Sequence, residues 1–144
     1  MKRRLVVEAT GGPLGATIAG AKVHATKLLA ATLEAMVVER PLPTEEKPQH
    51  LCLDKGDDNP TGHETVATYP YTPHTRRIGA EKLDPNGQKS YPARRWVVER
   101  TLAWLSKCRG LLVRSEKKAV NFLGLLPLAC ALIWMRRWAQ LSGD

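Results

Sequence analysis

The chain contains few metal-binding or disulfide-forming residues, and those present are not arranged for either role. Its three cysteines are widely spaced and odd in number, so they do not form a disulfide framework and indicate a reducing compartment. The four histidines lack His-x-His and His-x-x-x-His spacing, and the cysteines lack Cys-x-x-Cys. These absences argue against a zinc site.

Signals for export and for two common chemistries are also missing. Residues 1–8 are basic but contain no apolar stretch of signal-peptide length, so we expect no export. No Ser or Cys lies in a nucleophile elbow, and the glycines of residues 11–20 do not form a phosphate-cradling loop. The sequence therefore does not support covalent hydrolase chemistry.

The composition is that of a globular chain whose positive charge is concentrated in one segment. The 144 residues are 43% hydrophobic and 25% charged, and the net charge is +8. Residues 76–118 contain twelve basic and four acidic groups, so they carry all of that net charge. Such a segment indicates a polyanion partner such as nucleic acid, although a solvated helix face would have the same composition.

The pattern of apolar residues, glycines and prolines predicts a mixed α/β chain with helices packed on a sheet. We expect strands over 3–10, 14–19, 50–53 and 71–75, and helices over 24–39, 61–68, 93–108 and 116–140. Gly11-Gly12-Pro13 predicts a hairpin between the first two strands. Gly110 is expected to cap the third helix, and Pro127 to interrupt or bend the last one.

The last predicted helix contains an uncharged stretch, residues 119–135, at the lower length limit of a membrane span. Asn121, Gly124 and Pro127 interrupt its apolar character. We therefore predict a buried core helix and no membrane partner, with insertion into a membrane as the alternative.

Two acidic residues stand apart from ordinary surface carboxylates. Asp54 directly follows the run at 50–53, which does not alternate and so predicts a strand buried on both faces. Glu99 lies within an apolar and basic helix, with Arg95 on the same side. A carboxylate at a strand end and another on a packed helix can jointly hold Mg²⁺. The alternative is an Arg95–Glu99 salt bridge together with an aspartate that merely ends a strand.

Several ordered blocks resemble bacterial insertion-sequence DDE transposases of the IS-five type. KRRLVVEATGGPLG at residues 2–15 is similar to their KRHLLVDxxGxPL segment, and AGAKVH at 19–24 to TGANxHD. QHLCLDKGDD at 49–58 resembles ADKGYD, and RWVVERTLAWL at 95–105 follows in the expected order. The resemblance covers nearly the whole chain.

The resemblance implies an RNase H-like fold, in which helices flank a mixed sheet and three acids bind two Mg²⁺ (or Mn²⁺) ions. By motif position Asp54 is the second acid and Glu99 the third. The family's Tyr-Arg-Glu-Lys signature corresponds to Tyr91, Arg95, Glu99 and Lys107. The implied DNA-binding residues are Tyr91, Arg94, Arg95, Arg100 and Lys107. The implied partner is DNA, at the element ends and at the target, in the bacterial cytoplasm and nucleoid.

Departures from the family pattern bear on activity. The family's first Asp and its DNA-recognition region precede the matching segments, so residues 1–144 are expected to be an N-terminally truncated catalytic domain. Glu8 stands where Asp is usual but is not that first acid, and Asp57 replaces an aromatic residue. We expect a truncated or split transposase, inactive alone, that needs a separately encoded part or a homo-oligomer. The alternative is a non-catalytic DNA-binding remnant that uses residues 76–118.

Overall fold

The structure, a computed structural model, describes residues 2–57, 59–74, 95–113 and 116–143. The strands in these ranges are β1 (Lys2–Val7), β2 (Pro13–Ala19), β3 (His50–Cys52) and β4 (Thr72–His74). The helices are α1 (Ala25–Glu34), α2 (Pro60–Thr68), α3 (Arg95–Ser106), α4 (Arg109–Leu112) and α5 (Ala119–Ser142), and a 3₁₀ turn occupies Lys55–Asp57. The predicted α/β class is confirmed.

The hairpin of β1 and β2 lies between two groups of helices. The strands are antiparallel, with Lys2 opposite Ala19 and Val7 opposite Pro13. Because side chains alternate along a strand, Leu5 faces α3 and α5 while the neighbouring Val6 faces α1. Both faces of this short hairpin are therefore covered by helices.

Each face of the hairpin has its own apolar core. The larger core, against α3, α4 and α5, consists of Leu5, Leu105, Leu111, Phe122, Leu126 and Ala129. The smaller core, against α1 and α2, consists of Leu29, Leu33 and Val66. On this second face the Thr17 and Thr32 hydroxyls are hydrogen-bonded at 2.7 Å, which joins β2 to α1. The two cores thus share the hairpin as a common wall.

Strands β3 and β4 form a second, parallel sheet, in which His50 pairs with Thr72. The described strands therefore make two separate two-stranded sheets, and the single RNase H-like sheet remains a prediction. The prediction that the strand before Asp54 is buried on both faces was wrong. His50 and Cys52 are exposed and Leu51 is half-buried, because packing onto the smaller core covers one face only.

Several helix ends differ from those predicted. Helix α1 ends at Glu34, five residues before the predicted end. Beyond it, the backbone of Met36 packs against Gly15 of β2. A Cβ added at Gly15 would lie only 3.0 Å from the Met36 nitrogen. Gly110 lies inside α4 rather than capping α3, and an added Cβ there would meet Leu125 of α5 at 3.4 Å, an ordinary contact. Helix α5 continues through Pro127 without interruption.

The buried core helix predicted for residues 119–135 is buried on one face only. Helix α5 buries Phe122, Leu126 and Ala129, whereas Trp138 is 71% exposed. By length and composition alone α5 could cross a membrane, which is weak evidence for a single helix. Most of its apolar surface is thus not used in the cores.

The predicted turn at Gly11-Gly12-Pro13 is confirmed, and it depends on both glycines. Gly11 has a φ of +97°, a conformation that favours glycine. At Gly12 an added Cβ would lie 2.3 Å from the indole ring of Trp134 in α5. The indole nitrogen of Trp134 donates to the Pro13 carbonyl at 2.7 Å, so the ring cannot retreat without breaking this bond.

We expect Gly12→Ala to destabilise the chain because its methyl group would push Trp134 out of position. The expected loss is about 1–3 kcal/mol in the free energy of unfolding, measured by urea denaturation. Gly20→Ala is the matched control, since its methyl group would meet nothing within 4 Å. Equal stability of the two variants would contradict this packing.

Candidate functional site

Asp54 lies at the start of the 3₁₀ turn that follows β3, and it is exposed. Its carbonyl accepts a hydrogen bond from the Asp57 backbone at 2.9 Å, which closes the turn. The position of Asp54 is therefore set by this short turn rather than by a longer strand.

The 3₁₀ turn is fastened to β1 by a buried ion pair. Asp57 is 1% exposed, and both of its carboxylate oxygens accept hydrogen bonds from the two terminal guanidinium nitrogens of Arg4, one of them at 3.2 Å. Sequence analysis noted Asp57 only as a departure from the family pattern and missed the role of Arg4. Arg4 is the last of three consecutive basic residues that open β1, and nothing in the sequence distinguishes it from Lys2 and Arg3.

Glu99 lies on α3 and faces away from the larger core. It is exposed, whereas Val97, Thr101 and Leu105 of the same helix are buried. The alternative Arg95–Glu99 salt bridge falls outside the described residues, because the Arg95 side chain is among those that the structure does not describe. Glu99 is thus accessible on the outer face of a packed helix.

Only some of the predicted DNA-binding residues lie in the part of the chain that the structure describes. Tyr91 and Arg94 lie outside the described residues, together with most of the basic segment that precedes α3. Lys107 is exposed just after α3 ends. The Arg100 side chain, unlike that of Lys107, packs on aromatic rings. Its guanidinium lies over Trp96 and Trp104, 4.8 and 4.9 Å from the ring centroids.

Arg100 and its neighbour Thr101 also hold α3 against the hairpin turn. Arg100 donates to the Thr10 carbonyl at 2.5 Å, and the buried Thr101 hydroxyl donates to the Gly11 carbonyl at 2.7 Å. These contacts fix the part of α3 that carries Glu99. Arg100 therefore has a packing role that the sequence pattern did not reveal.

Glu8 organises the same turn. Its carboxylate accepts hydrogen bonds from the backbone N–H groups of Thr10 at 3.0 Å and of Gly12 at 2.8 Å, and from Arg137 of α5 at 2.9 Å. Partial burial acts to raise the pKa of Glu8, but these bonds and one from the Thr10 hydroxyl outweigh it and lower the pKa to about 2. Glu8 is thus an ionised anchor of the turn.

The described residues do not by themselves make a metal centre. Within these ranges no three His, Cys, Asp or Glu side chains are grouped closely enough to hold a metal ion. Asp54 and Glu99 lie on separate elements, and both have other interactions in the folded chain. Their carboxylates are hard oxygen ligands of the type that Mg²⁺ prefers.

Comparison with known proteins gives two matches. The family profile described as "Transposase DDE domain" matches residues 1–134. The chain is 31% identical over 134 residues to the "Putative transposase for insertion sequence element IS402" of Burkholderia cepacia. This alignment covers 92% of the chain and 61% of that relative. No solved structure matches the chain.

We expect Glu8→Gln to weaken the dependence of stability on acid pH. A carboxyl whose pKa is lower in the folded chain stabilises it above the unfolded pKa, about 4.3, and this contribution is lost as the pH falls toward about 2. Thermal unfolding between pH 6 and pH 2 measures the effect. The exposed Glu45→Gln is the control and should leave the wild-type slope unchanged.

We expect Arg4→Met to destabilise the chain by about 3 kcal/mol, because it leaves the buried Asp57 charge without its partner. Adding Asp57→Asn should recover part of the loss, since the double variant no longer buries an unpaired charge. Urea denaturation of the wild type, both single variants and the double variant measures this coupling. Additive effects would contradict a direct ion pair.

Proposed function

Because the chain belongs to the DDE transposase family, we propose that it acts in DNA transposition, cleaving and joining DNA strands at the ends of an insertion element. The observation that carries the proposal is the family match over residues 1–134, which contains Asp54 and Glu99. The chain spans 61% of the curated relative's length, so the activity of a whole transposase is part of the proposal. We further assign it to the IS-five type.

We propose Asp54 and Glu99 as catalytic carboxylates that would hold Mg²⁺ or Mn²⁺. Such ions supply a nucleophile at neutral pH and stabilise the charge that develops on the phosphodiester. Both side chains are exposed, which leaves them accessible to a DNA strand. The turn after β3 carries one and the outer face of α3 carries the other.

A third acidic ligand has to come from elsewhere. Since no three potential ligands are grouped within the described ranges, we propose that it comes from residues outside them, from a separately encoded part or from a second copy of the chain. Under this proposal a chain that carries two of the family's acids would be inactive alone.

We propose that DNA lies along the basic segment and α3. Tyr91, Arg94, Arg95 and Lys107 would contact the phosphate backbone beside Glu99. Arg100 would act as a positioning residue, since its guanidinium is engaged by two indole rings and the Thr10 carbonyl. The comparisons do not favour the alternative of a non-catalytic DNA-binding remnant. The site of action would be the bacterial nucleoid.

The test is cleavage of a DNA duplex that carries the element's ends, with Mg²⁺ or Mn²⁺ and any separately encoded part supplied. Asp54→Asn and Glu99→Gln should each lower the rate at least about a hundredfold, because each removes a carboxylate that holds the ion. Glu45→Gln, an exposed carboxylate on the loop before β3, should leave the rate unchanged. Full activity in either Asp54→Asn or Glu99→Gln would overturn the assignment.

Binding to the same duplex separates catalysis from recognition. The affinity should fall steeply with salt, because bound phosphates release counterions. It should survive Asp54→Asn, which leaves the basic segment intact. Absence of binding at about 50 mM salt would count against any DNA-directed function.

A further inference from the structure

Two helices bring tryptophan and arginine side chains together at the turn between β1 and β2. On α3 the Arg100 guanidinium lies over the rings of Trp96 and Trp104, 4.8 and 4.9 Å from their centroids. On α5 the Arg137 guanidinium lies 5.4 Å from the ring centroid of Trp134. We call these five side chains the tryptophan–arginine surface. Three of the four tryptophans of the chain therefore lie against an arginine at this turn.

The two arginines of this surface meet at a single carbonyl group of the turn. Arg100 donates to the Thr10 carbonyl oxygen at 2.5 Å, and Arg137 donates to the same oxygen at 3.1 Å. Glu8 forms an ion pair with Arg137 at 2.9 Å. Because one carboxylate faces two guanidinium groups, these three side chains together carry an excess of positive charge. That excess favours an anionic partner.

Trp96 is the most exposed member of the tryptophan–arginine surface. It is 56% exposed, although Val97 beside it is buried on the packed side of α3. Trp104 is half-buried, and Trp134 is 38% exposed. Arg100 lies over the Trp96 ring and is itself held by the turn. The indole of Trp96 is therefore held in place with more than half of its surface open to solvent.

An exposed indole ring beside an excess of positive charge fits a nucleotide whose base is unpaired. The flat ring can stack on a base, and the guanidinium groups attract the phosphates of the same strand. In a duplex the base faces are covered by neighbouring base pairs, so a protein ring stacks only on bases that are unpaired or turned out of the helix. An apolar protein segment would use the ring but not the charge. The surface therefore favours single-stranded DNA.

Trp96 also lies one helical turn before Glu99, the carboxylate that we propose to be catalytic. Residues three apart on an α-helix are neighbours on its surface. Both side chains are exposed. A base stacked on Trp96 would therefore hold the strand that carries it beside Glu99.

We propose that Trp96 stacks on an unpaired base at the cleaved end of the DNA strand, and that Arg100 positions its ring. The arginines at the turn attract the phosphates that flank this base. The proposal rests on the proposed function for its placement at a cleaved strand, whereas stacking on single-stranded DNA requires no catalysis. It deepens the proposed function by naming the state of the substrate, a DNA end with unpaired nucleotides.

The first test titrates the full ¹⁵N-labelled chain with a single-stranded thymidine oligonucleotide of about ten nucleotides. The indole N–H signal that Trp96→Phe removes belongs to Trp96. In the wild type this signal should shift in a saturable manner, because the ring current of a stacked base changes its shielding. An unchanged signal at saturating oligonucleotide would overturn the stacking.

The second test measures the affinity of variants for the same oligonucleotide. Trp96→Ala should weaken binding about tenfold, and Trp96→Phe should weaken it less because it keeps an aromatic ring. Trp138→Ala is the matched control, since Trp138 is 71% exposed on α5 and lies outside the tryptophan–arginine surface. Thermal unfolding of each variant checks that the chain remains folded. Equal losses in Trp96→Ala and Trp138→Ala would contradict a specific site.

The third test compares a blunt duplex with a duplex of the same sequence that has an unpaired end. Trp96→Ala should weaken binding of the unpaired end and leave binding of the blunt duplex nearly unchanged, because only the former offers a base face. An equal loss on both would show that Trp96 contributes without stacking and would overturn the proposal.

The outcomes separate this proposal from the proposed function. If Trp96→Ala binds single strands and cleaves element ends as the wild type does, the stacking role fails and the transposase function stands. If the chain binds single strands through Trp96 but neither binds nor cleaves the element-end duplex, the stacking site stands. The proposed function then fails, and with it the placement of Trp96 at a cleaved strand.

Discussion

The structure depends above all on the hydrogen-bonded turn between β1 and β2. The Glu8 carboxylate accepts hydrogen bonds from the backbone N–H groups of Thr10 and Gly12 in the turn. It also forms an ion pair with Arg137 of α5. The carbonyls of the turn then serve as acceptors for α3 and α5. Because a carboxylate that accepts several hydrogen bonds stays ionised, this anchor is charged over most of the pH range.

The same hairpin positions both proposed catalytic carboxylates. On one side Arg4 of β1 pairs with Asp57 and so fastens the 3₁₀ turn that begins beside Asp54. On the other side the turn after β1 binds Arg100 and Thr101, the two residues that follow Glu99. Neither carboxylate is held by its own element alone. A change in the hairpin is therefore transmitted to both.

Much of the local structure could be predicted because it follows from neighbouring residues. The glycine turn, the hairpin and the helix over Thr61–Thr68 all formed where the spacing indicated. The end of α1 and the one-sided burial of β3 could not be predicted, since each depends on a distant contact. Arg100 shows the same limit for the site: its charge suggested DNA, whereas two indole rings and a carbonyl from the hairpin engage it.

The sequence by itself determined the family, the α/β class and the location of the net positive charge, because motifs, periodicity and composition are properties of the chain alone. Only the tertiary structure decided which charged residues support the fold. Glu8 and Asp57 look like ordinary carboxylates in the sequence, and they became anchors because Arg137 and Arg4 meet them after folding.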